Sequence, residues 1–304
     1  MGIKVSNKWI LIVCGLSLAL ITLWFIVPYQ DLPEQLINKA NTDSLSLPDR
    51  IAAAKDATQM LKQKDSEAQL AQVDLLLGKL YVKSGQYHTS LQHLETVLAY
   101  AEKILDNGLL FEGYHQQGLC REYLGESSLA LYSYTRAMKI AKAAGRLEWQ
   151  SKAWEDIGLL SLSLRQFDRA DSCFREALQI DQELKDSLAM ANSLNNIGLI
   201  YQWQGNYLKA TRYLNEAKEL YTGRHDANMA ITTLNLGIVQ QRLADYHEAA
   251  ELGMQAASLF ESMQMEVELA SAYNLLGTVY TQMELFGKAR EYHKKALDIR
   301  THLA

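Results

Sequence analysis

The stretch that decides the fold is Asn195-Asn196-Ile197-Gly198-Leu199-Ile200-Tyr201-Gln202-Trp203-Gln204-Gly205-Asn206-Tyr207-Leu208-Lys209-Ala210. It reads as a helix with Gly198 on one face, a tight Gly205-Asn206 turn, and a second helix. That second helix opens on an aromatic and carries a small alanine three residues later. The same pattern recurs along the chain. Gly78, Gly118, Gly158 and Gly198 are spaced by 40, Gly237 follows by 39 and Gly277 by 40. A fixed period of this length is the mark of a stacked array rather than a single globule.

Working outward from the glycines, the other letters fall into register. Nine residues after each Gly stand Tyr87, Ser127, Phe167, Tyr207, Tyr246 and Phe286. Twelve after it stand Ser90, Ala130, Ala170, Ala210, Ala249 and Ala289, and nineteen after it Val97, Ala137, Ala177, Ala217, Ala256 and Ala296. Small residues let two helix backbones approach, and the aromatic fills the gap beside the turn. Gly85, Gly125 and Gly205 fall in the turns, where a positive φ suits glycine, and Gly108, Gly145 and Gly223 are expected as helix C-caps. No proline follows Pro48, as suits helices joined by short turns.

The units are expected at 71–110, 111–150, 151–190, 191–229, 230–269 and 270–304. Pro48-Asp49 marks a helix start, so 48–70 is expected to cap the stack with a lone second-type helix. Residues 28–47, with Pro28, Pro33 and a polar run from Asn41, read as a spacer in which Asp31 to Ala40 has room for a brief helix.

Before the spacer, Trp9 to Val27 is a run of 19 residues without a charge. At about 1.5 Å per residue it reaches roughly 28 Å, close to a hydrocarbon core of about 30 Å. Trp9, Trp24 and Tyr29 sit near its ends, where amphipathic rings favour the interface. No small-x-small cleavage site follows Phe25-Ile26-Val27, so an uncleaved anchor is expected rather than a removed signal peptide. Lys4 and Lys8 precede the span, leaving 1–8 as a cytoplasmic tail, while the twenty residues after it hold only Lys39 beside Asp31, Glu34 and Asp43. That bias predicts the N-terminus in the cytoplasm and the array outside it, in the periplasm of a bacterial inner membrane; an array facing the cytosol is the alternative.

The formal net charge of −5 includes those two lysines. A surface of that sign repels phosphate backbones, which argues against a nucleic-acid partner. Cys14, Cys120 and Cys173 form no C-x-x-C pair, and the seven histidines form no H-E-x-x-H motif. Neither a glycine-rich phosphate loop nor a nucleophile elbow is present. No metal, cofactor or catalytic activity is therefore expected.

The repeat resembles the tetratricopeptide (TPR) motif, W-x2-L-G-x2-Y followed by A-x3-F and A. Tyr114, Trp154 and Tyr273 take the first aromatic position, Tyr81, Tyr201 and Tyr280 the one after the Gly, and Tyr134 and Phe174 the later one. The period departs from the usual 34 and the terminal proline is absent, which makes it similar to the long-repeat subtype of kinesin light chains and bacterial Rap-type regulators. The resemblance, which covers 71–304, implies an all-α, right-handed superhelical solenoid of helix pairs; the run from Trp9 to Val27 adds one expected transmembrane helix before it. It also implies a non-catalytic array that holds a peptide or protein segment on its inner surface, as a scaffold or as a peptide sensor.

In such an array the first helix of each unit lines the inner surface. Its unpacked positions carry Asn192, Asn195, Asn196 and Trp203 in the fourth unit, Asn235 and Arg242 in the fifth, and Asn274 in the sixth. An Asn amide offers both a donor and an acceptor to a peptide backbone, whatever its sequence, and Trp203 suits an interface anchor. The first three units instead present Lys79, Lys83, Glu112, His115, Glu122, Lys152 and Glu155, a mixed-charge face. At the far end, Phe286 to Leu303 keeps Leu297, Ile299 and Leu303 on an apolar side with no polar capping helix after it. Docking of a partner or a second copy is expected there.

Overall fold

The chain is described by a computed structural model at residues 32–64, 66–221, 223 and 226–303. Among the described residues there are fourteen α-helices and no strand. They fall into two compact units, one ending at Ile140 and the other beginning at Ala141.

In the first unit the helices are α1 (Leu32–Asn41), α2 (Leu47–Gln63), α3 (Glu67–Lys83), α4 (Tyr87–Ile104), α5 (Asn107–Tyr123) and the start of α6 (Ser127–Ala143). Part of the expected spacer is thus helix, and it joins the core. Leu36, Ile37 and Ala40 share one face of α1 and pack with Ala53, Ala54, Ala57 and Leu61 of α2 and with Val73, Leu77 and Leu80 of α3. Arg50 ties the corner: its Nε donates to the Ala40 carbonyl at 2.8 Å, and the guanidinium pairs with Asp43. Ser46 accepts from the backbone N–H of Asp49, with Pro48 in the first turn, so proline and cap start α2 together.

The second unit holds α7 (Leu147–Ser163), α8 (Phe167–Leu184), α9 (Ser187–Trp203), α10 (Tyr207–Leu220), α11 (Ala227–Arg242), α12 (Tyr246–Ser262), α13 (Glu266–Gln282) and α14 (Phe286–Leu303). Each helix packs on the next, and α9 also touches α11. Phe174, Tyr221 and Phe260 are fully buried between helix pairs, each worth roughly 1.5–3 kcal/mol of transfer free energy. Cys173, and Cys120 in the first unit, are buried free thiols. Burial pushes both above the ordinary thiol range.

The recurrent glycines sit where a side chain would collide. A Cβ on Gly118 would lie 2.3 Å from the Tyr134 ring, and one on Gly198 would lie 2.7 Å from Leu214. Turns between paired helices need one left-handed residue. Gly85, Gly125 and Gly205 supply it, but Arg165, Ala244 and Glu284 adopt the same conformation with φ near +60°. Gly108 is not a C-cap. It lies in the first turn of α5, because Leu105 takes the left-handed position after α4 and Asp106 caps α5 through the N–H groups of Gly108 and Leu109. No helix among the described residues is long and apolar enough to cross a membrane. The expected anchor, Trp9 to Val27, lies outside them.

An asparagine-lined cleft as candidate functional site

Asn192, Asn195 and Asn196 stand at i, i+3 and i+4 on α9, so helical geometry puts all three side chains on one face. Asp186 fixes where that helix begins by accepting from the N–H groups of Leu188 and Ala189, both at 3.0 Å. Asp226 does the same for α11 through Met229 at 3.0 Å. Between these helices and α7 lies a cleft of about 270 Å³. Glu155 and Leu159 of α7, the three asparagines of α9, Tyr221 after α10, and Asn228, Ile231 and Thr232 of α11 line it.

The asparagines do different things. The Asn192 Oδ1 accepts from the Tyr221 hydroxyl and from Asn228 Nδ2, the latter at 3.1 Å. The Asn195 Oδ1 accepts from the Thr232 hydroxyl at 3.1 Å and from Asn235 Nδ2 at 3.2 Å. Both acceptors are therefore spent on tying α9 to its neighbours, and only their amide N–H groups are left for a ligand. Asn196 bonds to no other described residue and keeps both donor and acceptor. The cleft offers N–H donors beside a carboxylate and the apolar flanks of Leu159 and Ile231, a combination suited to the carbonyls and side chains of an extended chain.

Of the seven candidate residues, Asn192, Asn195 and Asn196 line the cleft and Asn235 is bound to it through Asn195. The structure does not bring the other three there. Trp203 ends α9, is 48% exposed and meets Phe167 edge-on with 6.1 Å between ring centroids. Arg242 is exposed at the end of α11, and Asn274 is exposed on α13, where its carbonyl accepts from Thr278. The cleft also draws on Tyr221, Asn228 and Thr232, which the inner-helix rule did not single out. Asn228, Thr232 and Asn235 are spaced i, i+4 and i+7, and that single face of α11 was the signal for two of them.

The mixed-charge positions are largely consumed by the fold. Lys79 pairs with Glu112 at 2.7 Å, and Glu122 accepts from the Tyr134 hydroxyl at 2.8 Å. His115 is buried against Phe111, with near-parallel rings 6.3 Å apart, and is not part of a charged surface. No group of three or more His, Cys, Asp or Glu side chains among the described residues is placed to hold a metal ion.

Models of the tetratricopeptide repeat match residues 151–184, 189–262 and 269–304. The chain is 29% identical over 129 residues to the uncharacterized protein ycf37 of Guillardia theta, covering 42% of this chain and 66% of that one. It is 21% identical over 236 residues to tetratricopeptide repeat protein 29 of Macaca fascicularis, covering 70% of this chain and 50% of that one. The chain thus spans between half and about two thirds of these relatives. Among solved structures it superposes on a STAND signal-transduction ATPase of Pyrococcus horikoshii that has a tetratricopeptide repeat sensor. That match has a TM-score of 0.74 and 17% identity, over 96% of this chain and 48% of the other. The matched segments all lie in the second unit, whose helix pairs carry tetratricopeptide repeats, and the superposition agrees with that all-helical fold.

Proposed function

We propose that this chain is a non-catalytic interaction module that holds a peptide or an extended segment of a partner protein in the asparagine cleft of its second unit. One observation carries the reading. Asn192 and Asn195 have their acceptors satisfied within the fold, which orients their amide N–H groups beside the uncommitted amide of Asn196. Donors fixed in this way suit backbone carbonyls, and pre-organisation lowers the entropy cost of binding. In the same reading Trp9 to Val27 anchors the module in a membrane with the N-terminus in the cytoplasm and the repeats on the periplasmic side. The apolar length of that segment and Lys4 and Lys8 before it support this.

A photo-crosslinking residue placed at Leu159 in the cleft tests the proposal against one placed at Leu208, which is 76% exposed elsewhere in the second unit. A discrete adduct from position 159, absent at 208 and reduced by Asn196→Ala, is expected. Equal labelling from both positions rules out the cleft.

A second reading, a peptide-responsive sensor, rests on the bridge from Asn195 to Thr232 and Asn235. A ligand competing for those bonds shifts the packing of α9 on α11. The scaffold reading expects the same scattering radius with and without ligand, and the sensor reading a changed one.

A further inference from the structure

The pair α3–α4 differs from the other units at one position. Four residues before the recurrent glycine stand Tyr114, Trp154 and Tyr273 in three of the units, and each ring carries a cation: Arg136 at 5.1 Å, Lys142 at 5.4 Å and Lys295 at 5.7 Å from the respective centroids. In the pair α3–α4 the equivalent residue is Asp74, four before Gly78. The units around Gly198 and Gly237 carry Leu194 and Thr233 there; only the pair α3–α4 places a carboxylate at this position, and Asp74 stands in the wall of a cavity of about 320 Å³.

The lining is chemically particular. Leu70 and Ala71 of α3 and Ala99 of α4 make apolar sides. Asp74 is only 9% exposed, and its Oδ1 lies 2.8 Å from His93 Nδ1. His93 is itself stacked on Tyr81, with 5.5 Å between ring centroids. No described residue bonds the second carboxylate oxygen. At the mouth, Lys103 pairs with Glu67 at 2.8 Å, and both are about two-thirds exposed. The rim cation is thus neutralised by its own partner and does not answer Asp74. A carboxylate with one open oxygen in an apolar-walled recess disfavours an anion, and a neutral hydrophobe would desolvate it without a partner.

We propose that this cavity is a receptor site for a basic side chain of a partner segment, its apolar stem along Leu70, Ala71 and Ala99 and its cationic head on Asp74. Lys and Arg combine a long apolar stem with a charged tip, which is the shape and polarity the recess presents. In the units of Tyr114, Trp154 and Tyr273 the ring and its stacked cation come from the chain itself. Here the partner supplies the cation and the array supplies the anion. His93 is a positioning residue that holds the carboxylate toward the cavity.

The test is a methyl and amide NMR titration of the full-length protein with Nα-acetyl-lysine methylamide, using the norleucine analogue as its neutral control. Saturable shifts are expected at Leu70, Ala71 and Ala99 with the lysine probe, and binding about tenfold weaker with the norleucine probe. Asp74→Asn is expected to erase that preference. Asp74→Tyr, which introduces the ring found in the units of Tyr114, Trp154 and Tyr273, is expected to fold with an undiminished melting temperature and to bind neither probe. Equal binding of the two probes, absence of shifts at these residues, or unchanged lysine binding by Asp74→Tyr each overturns the proposal.

Discussion

Asn235 donates its side-chain amide to the Oδ1 of Asn195, 3.2 Å away in space and forty residues away in sequence. With the Thr232 hydroxyl on the same oxygen at 3.1 Å, Asn195 holds α9 to α11, while Asn196 beside it holds nothing. Asn195→Ala leaves two partly buried donors without their acceptor, and a loss of about 1–3 kcal/mol is expected. Asn196→Ala is expected to stay within about 0.5 kcal/mol of the parent protein. Both substitutions should weaken partner capture in the cleft. Thermal unfolding read beside crosslinking yield separates the two roles, and an Asn195→Ala protein as stable as the parent contradicts the bridging role.

Gly118 and Tyr134 give a prediction about packing. The ring is fully buried and its hydroxyl donates to Glu122, so it has little room to retreat from a new methyl group at 2.3 Å. Gly118→Ala should cost about 1–3 kcal/mol. Gly287 provides the contrast. It lies in α14, and a Cβ added there would meet nothing within 4 Å. Gly287→Ala should therefore be neutral or stabilising by up to about 1 kcal/mol. Denaturant unfolding of the two variants checks the difference in sign.

Asp181 gives a pH-dependent prediction. It is 2% exposed and accepts from the Ser151 hydroxyl and, at 3.5 Å, from Ser193. Burial raises its pKa above the ordinary carboxylate value of 3.8, the two serines oppose that shift, and the charge of Asp186 adds to it. A carboxyl whose folded pKa is raised favours the folded state fully only below its unfolded pKa, and that stability is lost as pH rises through the folded pKa. Asp181→Asn keeps an acceptor for Ser151 and removes the buried charge. It should raise the melting temperature near neutral pH by roughly 2–4 °C, for about 1 kcal/mol. The gain should shrink on acidification toward pH 4. A gain independent of pH excludes the carboxylate as its source.

The helical array is legible in the sequence because contact geometry fixes it. A glycine under Tyr134 or Leu214 sits where any side chain collides, and it recurs at a near-constant interval. Turns are less legible. Arg165, Ala244 and Glu284 accept a left-handed backbone that costs of order 1 kcal/mol, because the packing of paired helices demands a reversal there whatever the residue. Gly108 misleads for the complementary reason, since Leu105 makes the turn and leaves the glycine inside a helix. In the site, the face shared by Asn192, Asn195 and Asn196 follows from helical periodicity. Their partners Tyr221, Asn228 and Thr232 depend on how α9 and α11 rotate against each other, which one helix cannot reveal. Trp203 and Arg242 lie on the lining helices but at their last residues, beyond the cleft.

Membrane anchoring and its direction can be read from one engineered thiol. Cys120 is fully buried and Cys173 is 4% exposed, and burial raises both thiols, which leaves little thiolate to react with a maleimide in the folded protein. Gln35 is exposed on α1, close in sequence to the apolar segment that ends at Val27. Cys14 lies within the apolar segment under test, so Gln35→Cys is made in a Cys14→Ser protein, where it should stand out from a low background. If the segment spans the membrane with Lys4 and Lys8 on the cytoplasmic side, a membrane-impermeant maleimide labels Gln35→Cys in spheroplasts, and the protein stays in the membrane fraction after carbonate extraction. Labelling only after lysis, with the protein still in that fraction, reverses the direction and leaves the anchor standing. Release by carbonate removes the anchor, because a run of about 20 apolar residues inserted as a helix is not extracted by raising pH.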